Sequence, residues 1–124
     1  MVLIRLGHLT GRDDLCHQAE MVLKRNWDNI SPYPPAFAMS LTALDYLIGP
    51  SSSLVLATEG ETPTAFLDII HTGFHPRMEI MLSKKEDFTL AEIAPLAAGK
   101  TAIKNQATAW FCPDRSCKAP VFEP

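Results

Sequence analysis

The chain has 124 residues, of which 47% are hydrophobic and 20% charged, with a formal net charge of −3. This composition is typical of a folded chain that can bury one hydrophobic core, so we expect a single domain spanning residues 1–124. Acidic and basic residues are interleaved without a basic stripe, which excludes the long-range attraction on which nucleic-acid binding depends.

Residues 1–49 have the apolar spacing of three helices separated by short breaks. A break at Gly11 ends the first helix, Asp13 or Asp14 can cap the second, and Pro35 suits the first turn of the third, which stops at Gly49. The apolar positions of the second helix are Leu15, Ala19, Val22, Leu23 and Trp27.

From residue 51 the apolar period changes to that of short strands. SLVLAT predicts a strand buried on both faces, HPRMEIML a second at about residues 78–82, and ATAWFC a third. Thr62 and Pro63 predict the start of a helix between the first two strands, and Pro95 weakens a short helix before the third.

The predicted fold class is therefore α/β: N-terminal helical segments over residues 1–49, followed by a small three-stranded parallel βαβαβ unit over residues 51–124. We expect the strand order 2-1-3, because the first strand is the most apolar and belongs in the centre. Such a thin sheet leaves apolar surface for the N-terminal helices or another chain to cover.

The sequence shows neither a membrane-spanning segment nor the features of a signal peptide, and these two observations predict the compartment. No apolar run approaches the ~20 residues that cross a bilayer, so we expect no membrane partner. The N-terminal stretch MVLIRLGHL is interrupted by Arg5 and His8, and no small-residue cleavage site follows it. We therefore expect a cytoplasmic protein, in which thiols stay reduced.

Four stretches together resemble the C-terminal end of the family that includes spermatogenesis-associated protein 20 and bacterial YyaL-type proteins. They are LGHLTGRDDLCHQAE, PYPPAFAMSLTALDYLIGPSSSLVLATEG, FHPRMEIML and ATAWFCPDRSCKAPV. The family's ending, an aromatic-rich strand followed by two cysteines and a proline, is matched by Trp110, Phe111, Cys112, Cys117 and Pro120.

The resemblance implies a long parent protein with a thioredoxin-like domain, then a helical toroid similar to six-hairpin glycosidases, then a small α/β segment. The chain matches only that last part, so we expect a fragment or a short relative of a multidomain protein. It implies a non-catalytic structural or interaction module without a cofactor. Its expected partners are the parent's other domains or a second copy, and it could also contribute one wall of a sugar site in a complex.

Cys112 and Cys117 leave several kinds of site open. A zinc site would need further ligands from Cys16, His71 or His75, but the helix that could align the two histidines is expected to end first. A disulfide is possible across the PDRS turn. We favour a buried strand-end thiol and a loop thiol, and we predict no metal site.

An alternative function follows from the predicted parallel sheet, in which ligands bind beyond the carboxyl ends of the strands. Cys112 would lie there as a nucleophile beside a positive helix terminus, which predicts a small thiol-dependent or anion-binding α/β enzyme. We define the predicted rim by its binding candidates: Thr58, Glu59, Gly60, Thr62, Ser83 and Lys84.

Other polar residues are interpreted as structural. His8 and His17 fit helix-surface or interhelix packing, and Lys84 with Lys85 fits a solvated turn. The stretch TEGET lacks the glycines and lysine of a phosphate-binding loop, which argues against nucleotide binding.

Overall fold

The computed structural model describes residues 1–85 and 88–123, and the chain divides into two compact units, Met1–Pro50 and Ser51–Pro124. The boundary lies at the change of apolar period near residue 50. The first unit holds α1 (Val2–Thr10), α2 (Asp13–Arg25), α3 (Trp27–Ile30), a 3₁₀ turn (Pro34–Phe37) and α4 (Ala38–Ile48). The second holds β1 (Ser52–Thr58), α5 (Thr64–Thr72), β2 (Met78–Lys84), α6 (Phe88–Ile93), a 3₁₀ turn (Pro95–Ala97) and β3 (Thr108–Pro113).

The first unit is a helical cluster held by a small buried core. Gly11 ends α1 in the left-handed region, with φ of 69°, which confirms the predicted break. The buried core of this unit is a cluster of side chains from α1, α2 and α4: Ile4, Ala19, Ala43 and Tyr46. Small side chains let the helices approach closely, because a Cβ added at Gly7 would lie only 2.5 Å from Cys16 Sγ.

The start and the apolar face of α2 differ from the prediction. Neither acidic residue caps the helix: Arg12 is at the cap position and Asp14 lies in the first turn, where the Arg12 guanidinium binds it at 2.7 Å. Val22 and Trp27 remain 55% and 45% exposed. The predicted stripe is therefore only partly covered within the described residues.

The second unit is a three-stranded sheet with α5 packed on it. β1 and β2 are parallel, and Leu54, Leu56, Phe66 and Ala109 form the buried core between strands and helix. Every residue from Ser53 to Thr58 is buried, which confirms that β1 is covered on both faces. The order β2-β1-β3 confirms the predicted central position of β1.

The prediction that all three strands are parallel is wrong, because β3 runs antiparallel to β1. A parallel third strand requires the chain to return along the full sheet, and β2 with its seven residues spans about 23 Å. The six-residue α6 spans only about 9 Å before Pro95 interrupts it. Instead, α6 and residues 97–102 pack at the carboxyl ends of β1 and β2, and the chain enters β3 from there.

The α/β class predicted from the sequence is confirmed, although the unit is mixed rather than a parallel βαβαβ unit. Across residues 1–85 and 88–123, no helix is both long enough and apolar enough to cross a membrane.

Candidate functional site

The carboxyl ends of β1 and β2 bring most of the predicted rim together. In the parallel register Thr58 pairs with Lys84 and Ala57 pairs with Ser83, so both strand ends lie at one edge of the sheet. Glu59 and Gly60 continue from Thr58 at the same edge. This neighbourhood follows from parallel pairing, which the sequence predicts correctly for these two strands.

Cys112 does not lie at this rim, which corrects its predicted position. Because β3 is antiparallel, Cys112 pairs with Ser53 near the start of β1, at the opposite end of the sheet. Its side chain is fully buried there. A nucleophilic role for Cys112 beside Thr58 and Lys84 therefore has no geometric support.

The two C-terminal cysteines form a disulfide, instead of the two separate thiols favoured from the sequence. The intervening turn places Asp114 and Arg115 at positive φ, which closes the chain tightly enough to bring Cys117 back to Cys112. The C-terminal segment then lies along β3, with the Lys118 amide donating to the Phe111 carbonyl at 2.9 Å. The disulfide thus fastens this segment to the sheet.

Pro120, the last residue of the ending on which the family resemblance was based, lies in the same segment. It precedes Val121, whose amide donates to the Ala109 carbonyl at 2.9 Å and whose carbonyl accepts from the Ala109 amide at 2.8 Å. The disulfide and these two hydrogen bonds hold the C-terminal segment against β3.

A cavity of about 170 Å³, which we call the rim cavity, lies at the carboxyl ends of β1 and β2. It is bounded by the ends of these strands, by α6 and by the segment that follows α6. Its polar lining consists of Thr58, Glu59, Ser83, Lys84, Lys85, Lys100 and Thr101.

The described charges of the rim cavity are predominantly positive. Of the residues that the structure describes, three lysines and one glutamate line it, and the Lys85 ammonium bonds the Glu59 carboxylate. The Lys100 ammonium lies 5.6 Å from the centre of the Trp110 ring, a distance that allows a cation–π interaction. Lys84 and Lys100 thus add positive charge to the lining beyond the Lys85–Glu59 ion pair.

Thr58 is the most buried polar residue of the rim. It is only 3% exposed, and in the part of the chain that the structure describes its Oγ1 has no hydrogen-bond partner. A buried hydroxyl without a partner is uncommon and costly, since its desolvation is not compensated.

A second cavity of about 400 Å³ lies on the other side of Thr58 and contains Gly60 and Thr62. Glu59 and Glu61 line it without a lysine, so its charge opposes that of the rim cavity. Thr62 is not the cap predicted from the sequence, because Pro63 holds that position and α5 begins at Thr64.

Lys85, Lys100 and Thr101 were not predicted as site residues. Lys85 was interpreted as part of a solvated turn. Lys100 and Thr101 follow Gly99, whose φ of 71° turns the chain back to the rim after the 3₁₀ turn. The stretch AAGK is a sequence signal for such a turn, but its destination depends on the sheet topology.

The histidines have structural surroundings. His8 stacks on Tyr46 with ring centres 5.5 Å apart, as expected for interhelix packing. α5 ends at Thr72, so His71 and His75 do not share a helix. Over the described ranges, no group of three or more His, Cys, Asp and Glu side chains could hold a metal ion.

Two exposed ion pairs shift the ionisation of acidic groups on α2. The hydrogen bond from Arg12 lowers the pKa of Asp14. The hydrogen bond from the Lys24 ammonium, with a nitrogen–oxygen distance of 2.6 Å, lowers the pKa of Glu20. Both are solvated surface ion pairs.

Comparison with known proteins identifies no relative: no family model, no curated protein and no solved structure matches this chain.

Proposed function

We propose that this chain is a non-catalytic structural or interaction module, the closing segment of a larger protein that also contains a thioredoxin-like domain and a helical toroid. The observation that carries the proposal is the number of large apolar side chains left exposed in both units. A soluble monomer rarely exposes contiguous apolar patches of more than a few hundred Å², so such side chains favour burial against a partner.

In the helical unit the exposed side chains border an apolar groove between α2 and α4. The groove has a volume of about 640 Å³ and is lined by Leu23, Trp27, Leu44, Leu47 and Ile48, with Glu20 and Lys24 at its margin. Ile48 is 75% exposed and Trp27 is 45% exposed. A tryptophan beside an apolar groove is typical of an interface anchor.

In the α/β unit the edge strand β2 contributes a second apolar surface. Ile80 and Leu82, two residues apart on one face of β2, are 46% and 38% exposed. Phe74, just before β2, is 89% exposed. An edge strand with apolar side chains is a natural place for another protein segment to pack.

The partners we propose are the other domains of the parent protein or, when these are absent, a second copy of this chain. The proposed compartment is the cytoplasm. Since disulfides are rare there, the state of Cys112 and Cys117 in freshly lysed cells tests the compartment. Rapid alkylation under denaturing conditions should label all three cysteines if the protein resides in a reducing compartment, and Cys16 alone if the disulfide is present in the cell.

The sequence also suggested a small thiol-dependent or anion-binding enzyme as an alternative function. Of that alternative we retain only anion binding. Cys112 is oxidised, fully buried and at the far end of the sheet from the rim. We therefore do not assign it a catalytic role.

Sedimentation velocity on the isolated chain tests the structural-module proposal. We expect reversible self-association that increases with protein concentration and that is weakened by the double substitution W27S/I48S. Q18S, at an exposed polar position on α2, is the matched control and should behave as the unmodified chain. A clean monomer at every concentration would count against the proposal.

The origin of the chain is tested separately by genomic context. An adjacent or continuous reading frame that encodes thioredoxin-like and toroid parts would support the proposed parent protein. A gene that stands alone, together with monomeric behaviour, would contradict it.

A further inference from the structure

We propose that the rim cavity binds a phosphate group, either as inorganic phosphate or as the head of a small phosphomonoester. The proposal rests on the position, charge and size of the cavity and does not depend on the structural role proposed above.

The position is one at which open α/β sheets commonly bind ligands. The cavity lies beyond the carboxyl ends of the parallel strands β1 and β2. The connection that leaves β2 passes to the far side of β1, since the strand order is β2-β1-β3. The strand ends, α6 and the segment after α6 together border a crevice beyond the strands, which is where open α/β sheets bind ligands.

The charge of the cavity fits a dianion. Among the residues that the structure describes, Lys84, Lys85 and Lys100 oppose the carboxylate of Glu59, so the described lining carries an excess of two positive charges. A phosphoryl group carries a charge of about −1.5 to −2 near neutral pH. A single carboxylate ligand would compensate only half of this excess.

Two of the lysines have a contact within the protein that favours their observed orientation. The Lys85 ammonium bonds Glu59, and the Lys100 ammonium lies 5.6 Å from the centre of the Trp110 ring. Groups that are already ordered lose less side-chain entropy on binding, which favours affinity. Ordered ammonium groups also form the strong, charge-assisted hydrogen bonds typical of phosphate recognition.

Thr58, which lines the rim cavity and also the neighbouring one, carries a hydroxyl. Thr58 pairs with Lys84 in the sheet, and within residues 1–85 and 88–123 its buried Oγ1 lacks a hydrogen-bond partner. A phosphate oxygen is an acceptor for such a hydroxyl after a small local adjustment. The neighbouring cavity with Glu59 and Glu61 lacks a lysine and would repel the same ligand.

The size restricts the ligand to a small group. The rim cavity has about 170 Å³, whereas sites for drug-sized ligands occupy roughly 300–1,000 Å³. A phosphate group with a short substituent fits this volume, and a whole nucleotide exceeds it.

The test is a titration of the full chain with inorganic phosphate and, separately, with glycerol phosphate, followed by amide NMR shifts and calorimetry. We expect saturable shifts at residues 58–59 and 99–102. K84Q and K100Q should each weaken binding about tenfold, the usual effect of losing one charge-assisted hydrogen bond. Equal affinity for both ligands would indicate the free anion, and tighter binding of the ester would indicate a phosphomonoester; either result supports the proposal.

K118Q is the matched control, because the Lys118 ammonium also lies 5.6 Å from an aromatic ring, that of Phe111, yet does not line the cavity. Its affinity should equal that of the unmodified chain. An equal loss of phosphate affinity in K118Q and K100Q would overturn the proposal, and so would the absence of saturable amide shifts in the unmodified chain. Glu86 and Asp87 lie outside the described residues, and binding seen only in E86Q/D87N would also overturn it.

Discussion

Cys112 lies directly opposite Ser53 in the antiparallel pairing of β1 and β3, whereas Lys84 lies opposite Thr58 at the other end of β1. The disulfide and the lysine-lined cavity are therefore at opposite ends of one sheet. This separation divides the second unit into an end that fastens the C-terminal segment and an end with the chemistry of an anion site.

The disulfide should stabilise the second unit. Cys112 and Cys117 are five positions apart, and closing so short a loop in the unfolded chain contributes about 2 kcal/mol in the chain-entropy description. We expect C112A/C117A to lower the free energy of unfolding by about this amount in urea titrations. Reductant should destabilise the unmodified chain similarly and leave the double variant unchanged; identical curves for all samples would contradict the prediction.

Thr58→Val should stabilise the protein. The substitution keeps the shape of the side chain and removes a buried hydroxyl that, over the described part of the chain, has no partner. We expect the free energy of unfolding to rise by about 1 kcal/mol, measured by urea unfolding without phosphate.

Thr108→Val is the matched control for this prediction. Thr108 is 1% exposed, but its Oγ1 accepts from the Ile103 amide at 3.0 Å and donates to the Gln106 carbonyl at 2.9 Å. Removing the Thr108 hydroxyl takes one hydrogen-bond partner from the Ile103 amide and one from the Gln106 carbonyl. The free energy of unfolding should therefore fall by about 1–3 kcal/mol. If both substitutions changed the free energy of unfolding in the same direction, the proposed difference between an unpartnered and a hydrogen-bonded hydroxyl would be contradicted.

Gly7→Ala should destabilise the helical unit. The added Cβ would lie 2.5 Å from Cys16 Sγ and 2.9 Å from the Arg12 carbonyl oxygen, so α1 and α2 must separate slightly. We expect a loss of about 1–3 kcal/mol in thermal or urea unfolding. Cys16→Ala removes the nearer atom, so G7A should cost less in that background; an unchanged cost would contradict this explanation.

Acid should weaken the contribution of Glu20 to stability. Its pKa is lowered in the folded protein, chiefly by the hydrogen bond from Lys24. The contribution is therefore complete above the unfolded pKa and is lost as the pH falls through the folded pKa.

An NMR titration of the Glu20 carboxyl tests this pH dependence. We expect a midpoint below the ordinary value in the unmodified chain and a return toward that value in K24Q. K118Q should leave the midpoint unchanged. The pair is exposed, so salt should reduce the shift; a midpoint insensitive to K24Q would contradict the assignment.

The sequence by itself determined the end of α1, the burial of β1 and the central position of β1 in the sheet. Gly11 predicts the end of α1 because few other residues adopt its backbone conformation, and the continuous apolar run of β1 predicts burial on both faces. The α/β class and the pairing of β1 with β2 follow from these local patterns.

Only the tertiary structure decided the direction of β3, the oxidation of Cys112 and the composition of the rim cavity. The apolar pattern of a strand is the same in either direction, so the direction of β3 depends on where the connection between β2 and β3 packs. Because β3 is antiparallel, Cys112 lies at the end of the sheet opposite the rim. The chain after Gly99 places Lys100 at the rim. Such neighbours are set by the path of the whole chain, whereas sequence periodicity reports only on residues a few positions apart.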